Sequence, residues 1–134
     1  MRVAVFASAL VLSVSLAAQV AIKKELQPLQ GGWSLVTAEG QAVPPGLASL
    51  MITGDKYQGL TDGKVDERGT IKVNPDPKPM WIDMVITEGS SAGKTQLGLI
   101  EVEGDTMTLT LAEPGAPRPG PSGNSGKLIL KKIK

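Results

Sequence analysis

The chain contains no histidine and no cysteine, and only four of its 134 residues are aromatic. Without histidine there is no imidazole to act as general base near neutral pH or as the commonest metal ligand. Without cysteine there is no disulfide, no thiol nucleophile and no attachment point for a lipid anchor. Phe6, Trp33, Tyr57 and Trp81 are too few and too scattered to form a stacking platform for bases or sugars. Charge of one sign is also lacking. Setting Arg2 aside leaves thirteen basic and thirteen acidic residues. The chain therefore lacks the basic field that holds nucleic acid, and Lys131, Lys132 and Lys134 are too short a cluster to replace it or to bind an anionic membrane.

The N-terminus carries the one sustained apolar run. Arg2 precedes an uncharged stretch from Val3 to Ala18, followed by Lys23, Lys24 and Glu25. This is the pattern of a secretory signal peptide. The run is about 16 residues, short of the about 20 that a spanning helix needs. Ser15-Leu16-Ala17 offers small residues where a signal peptidase reads, so cleavage is expected after Ala17, or secondarily after Ala18. Residues 1–17 are then a leader and 18–134 a single domain, secreted or periplasmic, with no membrane insertion after cleavage.

Beyond a short amphipathic lead-in, Ile22 to Leu29, the chain alternates short β-type runs with Gly, Asp and Pro turns. Eight strands are expected: Trp33–Glu39, Leu47–Thr53, Lys56–Thr61, Lys64–Val73, Met80–Thr87, Thr95–Glu103, Thr106–Leu111 and Lys127–Ile133. Gly54-Asp55, Asp62-Gly63 and Gly104-Asp105 stand at two-residue hairpin spacing, where positive φ selects these residue types. The three prolines of Asn74–Pro79 cannot donate to a ladder, so that segment is a loop. Period-2 alternation is clearest where Met80, Ile82, Met84 and Ile86 oppose Trp81, Asp83, Val85 and Thr87. The reading is all-β, an eight-stranded antiparallel up-and-down barrel, whose closure removes the exposed edges that a disulfide-free exported domain can least tolerate. The last connection, Ala112–Gly126, holds four prolines and four glycines in 15 residues. It reads either as a surface linker or as a semi-rigid flap beside the barrel mouth carrying an exposed cation, Arg118.

Motif-like strings lose their force on inspection. Glu88 to Thr95 resembles a phosphate-binding loop, but an anion stands where the first glycine belongs and a strand follows where a helix must begin. Gly89-Ser90-Ser91-Ala92-Gly93 matches the nucleophile elbow, yet no imidazole exists to activate Ser91. Ser91 with Lys94 falls in a turn, not on the helix that such pairs use. Glu101 and Glu103 share a strand face at a hairpin end and support neither a glycosidase pair nor a calcium loop. No catalytic residue, metal site or cofactor is expected. Asp83 is the acid best placed for enclosure. It reads either as a structural acceptor for loop amides, Arg118 or Arg68, or as the polar contact of a ligand pocket shared with Trp81, Tyr57 and Arg118.

An ordered set of short matches spans the domain: Leu29-Gln30-Gly31-Gly32-Trp33, Ile52 to Tyr57, Gly69-Thr70-Ile71, Pro79 with Ile82-Asp83, Thr87-Glu88-Gly89, Gly93-Lys94-Thr95 with Leu97-Gly98, Glu103 to Thr106, and Pro114-Gly115 with Arg118-Pro119. Together they resemble a lipocalin-like domain family of uncharacterised activity, abundant in planctomycete-type bacteria. The resemblance runs from about Leu29 to Lys132. It implies an up-and-down barrel in which Trp33, after Gly31-Gly32, closes the bottom beneath Lys131 or Lys132, where an arginine is usual. Gly31, Trp33, Gly104 and Asp105 are then structural. Gly120-Pro121 replaces the polar residue and aromatic that follow Arg118-Pro119 in the family.

An eight-stranded barrel is just wide enough to be filled by side chains or to hold one small ligand. The expected inward set is Met51, Ile71, Ile82, Met84, Ile86, Met107 and Leu109, each worth about 1.5 to 3 kcal/mol on burial. Any pocket would be aliphatic and Met-lined. The functional expectation is an exported, non-enzymatic barrel binding a small hydrophobic ligand. The alternative is a cell-envelope interaction or scaffold module with a filled interior, its partner an envelope protein.

Overall fold

The computed structural model describes residues 22–134; the expected leader and cleavage point fall outside the described residues. A short 3-10 helix, Lys24–Leu29, leads into nine strands: β1 (Gly31–Ala38), β2 (Gln41–Ala42), β3 (Ala48–Thr53), β4 (Lys56–Thr61), β5 (Lys64–Asn74), β6 (Met80–Glu88), β7 (Thr95–Glu103), β8 (Thr106–Leu111) and β9 (Lys127–Lys132). Strands β1 and β3 to β9 pair antiparallel with their sequence neighbours, and β1 pairs back onto β9, Trp33 opposite Lys132 and Leu35 opposite Leu130. The result is a closed eight-stranded antiparallel barrel with one extra strand. Among the described residues no helix is long and apolar enough to cross a membrane.

The extra strand has a local cause. Glu39 and Gly40 both take positive φ, 50° and 81°, so the chain reverses at Glu39, where the sequence reading continues the first strand. Gln41 and Ala42 then pair back onto Ala38 and Thr37. Pro44 and Pro45 end the ladder, because neither has an N–H to contribute. The three expected two-residue hairpins are present at Gly54-Asp55, Asp62-Gly63 and Gly104-Asp105. Asp62 and Gly63 take φ of 51° and 78°, the doubly left-handed pattern that matches the twist of the flanking strands.

The barrel has two unlike ends. At one, the 3-10 helix drops Leu26 and Leu29 into the lumen above Trp33, and the Trp33 Nε1–H donates to the Leu29 carbonyl at 2.9 Å. Trp33, Leu29, Ile82, Ile86, Ile100 and Met107 are essentially inaccessible to water. The other end carries the Asp62-Gly63 turn, the β6–β7 loop and both ends of the Ala112–Gly126 segment. Ile71, Ile82, Met84, Ile86, Met107 and Leu109 face inward as expected, but Met51 does not. Leu50 and Ile52 take the inward positions of β3, and Met51 lies outside at 38% exposure. The unbroken apolar run Leu50-Met51-Ile52 carries no alternation of its own. Pairing decides its phase, because Leu50 stands opposite the buried Trp33.

Candidate functional site

Each of the eight barrel strands contributes alternate residues to the lumen, and the lumen is not uniformly filled. Toward the end away from the 3-10 helix a cavity of about 160 Å³ remains, walled by Leu35, Leu50, Met84, Leu109, Leu128 and Leu130. Leucine, more than methionine, supplies the lining. Three larger recesses lie elsewhere on the surface: one of about 540 Å³ is bounded by Glu39, Glu113 and Pro119 beside the last connection, and two others have walls of mixed charge. One of about 400 Å³ lies between Lys78, Glu101 and Glu103, and one of about 640 Å³ between Lys23, Glu25, Asp55 and Lys72.

Four polar residues line the apolar cavity, Ser49, Tyr57, Glu67 and Gln96. Tyr57 comes from β4, opposite Gly69 of β5. A Cβ at residue 69 would collide with the Tyr57 ring and the Val85 carbonyl oxygen, so only glycine lets the ring lie there. Glu67 faces inward because it stands two and four residues from the inward Gly69 and Ile71. The Tyr57 hydroxyl donates to the Glu67 Oε2 at 2.8 Å, along the diagonal between the two strands. Burial, reinforced by that hydrogen bond and by the Glu67 charge, raises the Tyr57 pKa well above the ordinary phenol value. The phenol therefore stays protonated, its proton committed to Glu67. Gln96 Nε2 donates to the Ala112 carbonyl at 2.8 Å and ties the cavity rim to the start of the last connection.

That connection is a strap on the outer wall. Its first and fourth residues are fixed by Ala112 N–H to Leu97 O and Gly115 N–H to Thr95 O. Arg118 then reaches the barrel wall. Its Nη2 donates to Asp83 Oδ1 at 2.7 Å, and its Nη1 to the carbonyls of Gly98 and Ile82 at 2.9 and 3.1 Å. The guanidinium carbon lies 4.5 Å from the centroid of the Trp81 ring. Leu99 and Thr110 belong to the outward face, yet they are 6% and 9% exposed, because the strap covers them.

The four residues grouped in the sequence reading thus occupy two places. Trp81, Asp83 and Arg118 converge outside the barrel, and Tyr57 lies within it. Arg118 is no free cation, since its side chain is 19% exposed and bound to one carboxylate and two carbonyls. Arg68 pairs with Glu88 instead, at 3.4 Å. At the helix end, Lys132 is the basic residue over Trp33, with Nζ 5.1 Å from the ring centroid and donating to the Gln30 carbonyl at 2.8 Å. Lys131 points away to the Thr106 hydroxyl. Gly31 takes a φ of 103° and Gly104 one of 58°. The Asp105 carbonyl accepts from the Lys132 N–H, and its carboxylate pairs with Lys134 at 2.7 Å, which lowers the Asp105 pKa. The Glu88–Thr95 string is a turn leading directly into β7. Among the described residues no group of three carboxylates gathers to hold a metal ion.

Sequence reasoning missed Glu67 and Gln96. Counting in twos back from Ile71 through Gly69 places Glu67 on the inner face, and the same count from Ile100 through Gly98 places Gln96 there. Comparison of the chain with protein-family models, with curated proteins and with solved structures found no match.

Proposed function

We propose that this is an exported, non-enzymatic, lipocalin-like barrel that binds one small apolar ligand in the cavity between Leu35, Leu109 and Leu128. The leader pattern from Arg2 to Ala17 supports export. The observation that carries the binding reading is the unfilled, largely leucine-walled recess of about 160 Å³ at the end of the lumen away from the 3-10 helix. A cavity of about 150 Å³ lined by aliphatic residues admits benzene, which sets the ligand at roughly six to eight heavy atoms. Binding sites are mostly apolar with a few placed polar groups, and Tyr57, Glu67 and Gln96 fill that role. The outer cluster of Trp81, Asp83 and Arg118 serves to hold the strap.

A second reading is favoured by the helix end of the lumen, which is filled by Trp33, Leu29, Ile100 and Met107. It makes the protein an envelope scaffold in which the remaining cavity is a packing defect. Titration of toluene and 1-pentanol into methyl-labelled protein separates the two. Saturable one-to-one shifts of the Leu35, Leu109 and Leu128 methyl resonances are expected. Shifts that stay linear in ligand, or spread over the whole surface, would leave only the scaffold.

A further inference from the structure

The polar groups at the cavity carry charge of one sign. Among the described residues that line it, Glu67 bears the one formal charge and no lysine or arginine faces it. The Tyr57 hydroxyl has one hydrogen, which it donates to Glu67 Oε2, so toward the cavity this pair presents only lone pairs. Among the described residues Glu67 Oε1 has no hydrogen-bond partner, and Glu67 is half-buried, open toward the mouth. Arg68, the nearest cation in sequence, stands on the opposite face of β5 and is paired with Glu88. The Tyr57–Glu67 pair, beside the uncharged Gln96 and Ser49, is thus an acceptor site carrying negative charge in partly dehydrated surroundings, where an ion pair gains more than it does in bulk water.

Resting on the small-ligand reading above, we infer that the ligand is a small aliphatic or aromatic amine: its apolar body occupies the leucine-walled volume and its ammonium group is held by Glu67. An alkylamine is protonated at neutral pH, as lysine is. It supplies three N–H donors to the Glu67 carboxylate and the Tyr57 Oη. A carboxylate of the same length would set like charges together in the same recess and should be rejected.

The test is isothermal titration of n-pentylamine, 1-pentanol and sodium pentanoate, matched in chain length, into wild type and Glu67→Gln. Wild type should bind the amine at least about tenfold more tightly than the alcohol and pentanoate more weakly than either. Glu67→Gln keeps an acceptor for the Tyr57 hydroxyl and should bind the alcohol within about threefold of wild type while losing the amine preference. Equal binding of amine and alcohol by wild type, or pentanoate bound as well as the amine, overturns the inference but leaves the small-ligand reading standing. No binding of any of the three overturns both. Should Glu67→Gln fail to fold, the order of the three ligands on wild type still decides.

Discussion

Arg118 and Asp83 are 35 residues apart in the chain and 2.7 Å apart in space. Between them they fasten a proline- and glycine-rich strap, which could not hold a position through backbone ladders, onto the outer wall of β6 and β7. The same guanidinium caps the Gly98 and Ile82 carbonyls and lies against Trp81. One side chain therefore anchors the cover over Leu99 and Thr110.

Removing Asp83 should loosen this anchor without touching the lumen. Asp83→Ala leaves Arg118 its two carbonyls and the Trp81 ring, so about 1 kcal/mol of stability should be lost. Arg118→Ala removes every contact and should cost about 2 to 3 kcal/mol. Urea unfolding measures both, and the double variant should cost less than the sum. Neither change should alter ligand affinity. A changed affinity in Asp83→Ala with unchanged stability would put Asp83 in the binding site after all.

Tyr57 is the one tyrosine in the chain, so its ionisation can be followed directly by phenolate absorbance. Its folded-state pKa lies above 10.0, the ordinary phenol value that the unfolded chain approximates. Between those two values the unfolded chain gives up a proton that the native state keeps, so stability is fully present below about pH 10 and declines as pH rises beyond it. Native protein should show no phenolate absorbance at pH 10, where the unfolded chain is half ionised. Tyr57→Phe should be less stable than wild type by about 1 kcal/mol at neutral pH, and the gap should narrow above pH 10. Half-ionisation of the native protein near pH 10 would mean that the ring is in water.

What the sequence makes legible follows from local chemistry. The hairpins at Gly54-Asp55, Asp62-Gly63 and Gly104-Asp105 are written in residues that tolerate positive φ, and the inward Ile82, Met84 and Ile86 follow from alternation. Met51 was misplaced because an unbroken apolar triplet has two equally good phases until Leu50 meets Trp33. Strand β2 is two residues long, too short for any period to show. Asp83 already reads as a candidate acceptor for Arg118, and the pair forms, but nothing in a proline-rich segment encodes which distant wall it will cover, so Arg118 reads equally well as an exposed cation. Taking Asp83 as an enclosed acid groups it with Tyr57 in one pocket, though Ile82 and Met84 already assign Asp83 to the outer face. The Tyr57–Glu67 contact depends on the register shift at Gly59/Leu60, which alternation alone does not reveal.

The two C-terminal lysines that the resemblance left as alternatives should separate cleanly. Lys132 reaches the Gln30 carbonyl and the Trp33 ring, whereas Lys131 touches only the exposed Thr106 hydroxyl. Lys132→Ala should cost about 1 to 2 kcal/mol, from a lost charge-assisted hydrogen bond and a partly shielded cation–π contact. Lys131→Ala should stay within about 0.5 kcal/mol of wild type. Thermal unfolding of the two variants side by side checks this, and equal losses would contradict the assignment of Lys132 as the residue that closes the barrel over Trp33.

The cavity itself can be removed. Leu111 lies at its edge, partly buried, with room on the cavity side. Leu111→Phe directs a ring into unoccupied space, so the usual overpacking cost of about 1 to 3 kcal/mol should be largely offset by the contacts the ring gains. Stability should then stay within about 1 kcal/mol of wild type while saturable binding of pentanol and toluene disappears. Leu109→Ala makes the opposite change. It enlarges the recess, should cost about 2 to 5 kcal/mol because Leu109 is buried, and should admit a larger aromatic such as naphthalene. Methyl-resonance titrations on the two variants read both outcomes. If Leu111→Phe binds pentanol as wild type does, the ligand lies elsewhere, and the cleft between the 3-10 helix and Lys72 becomes the place to look.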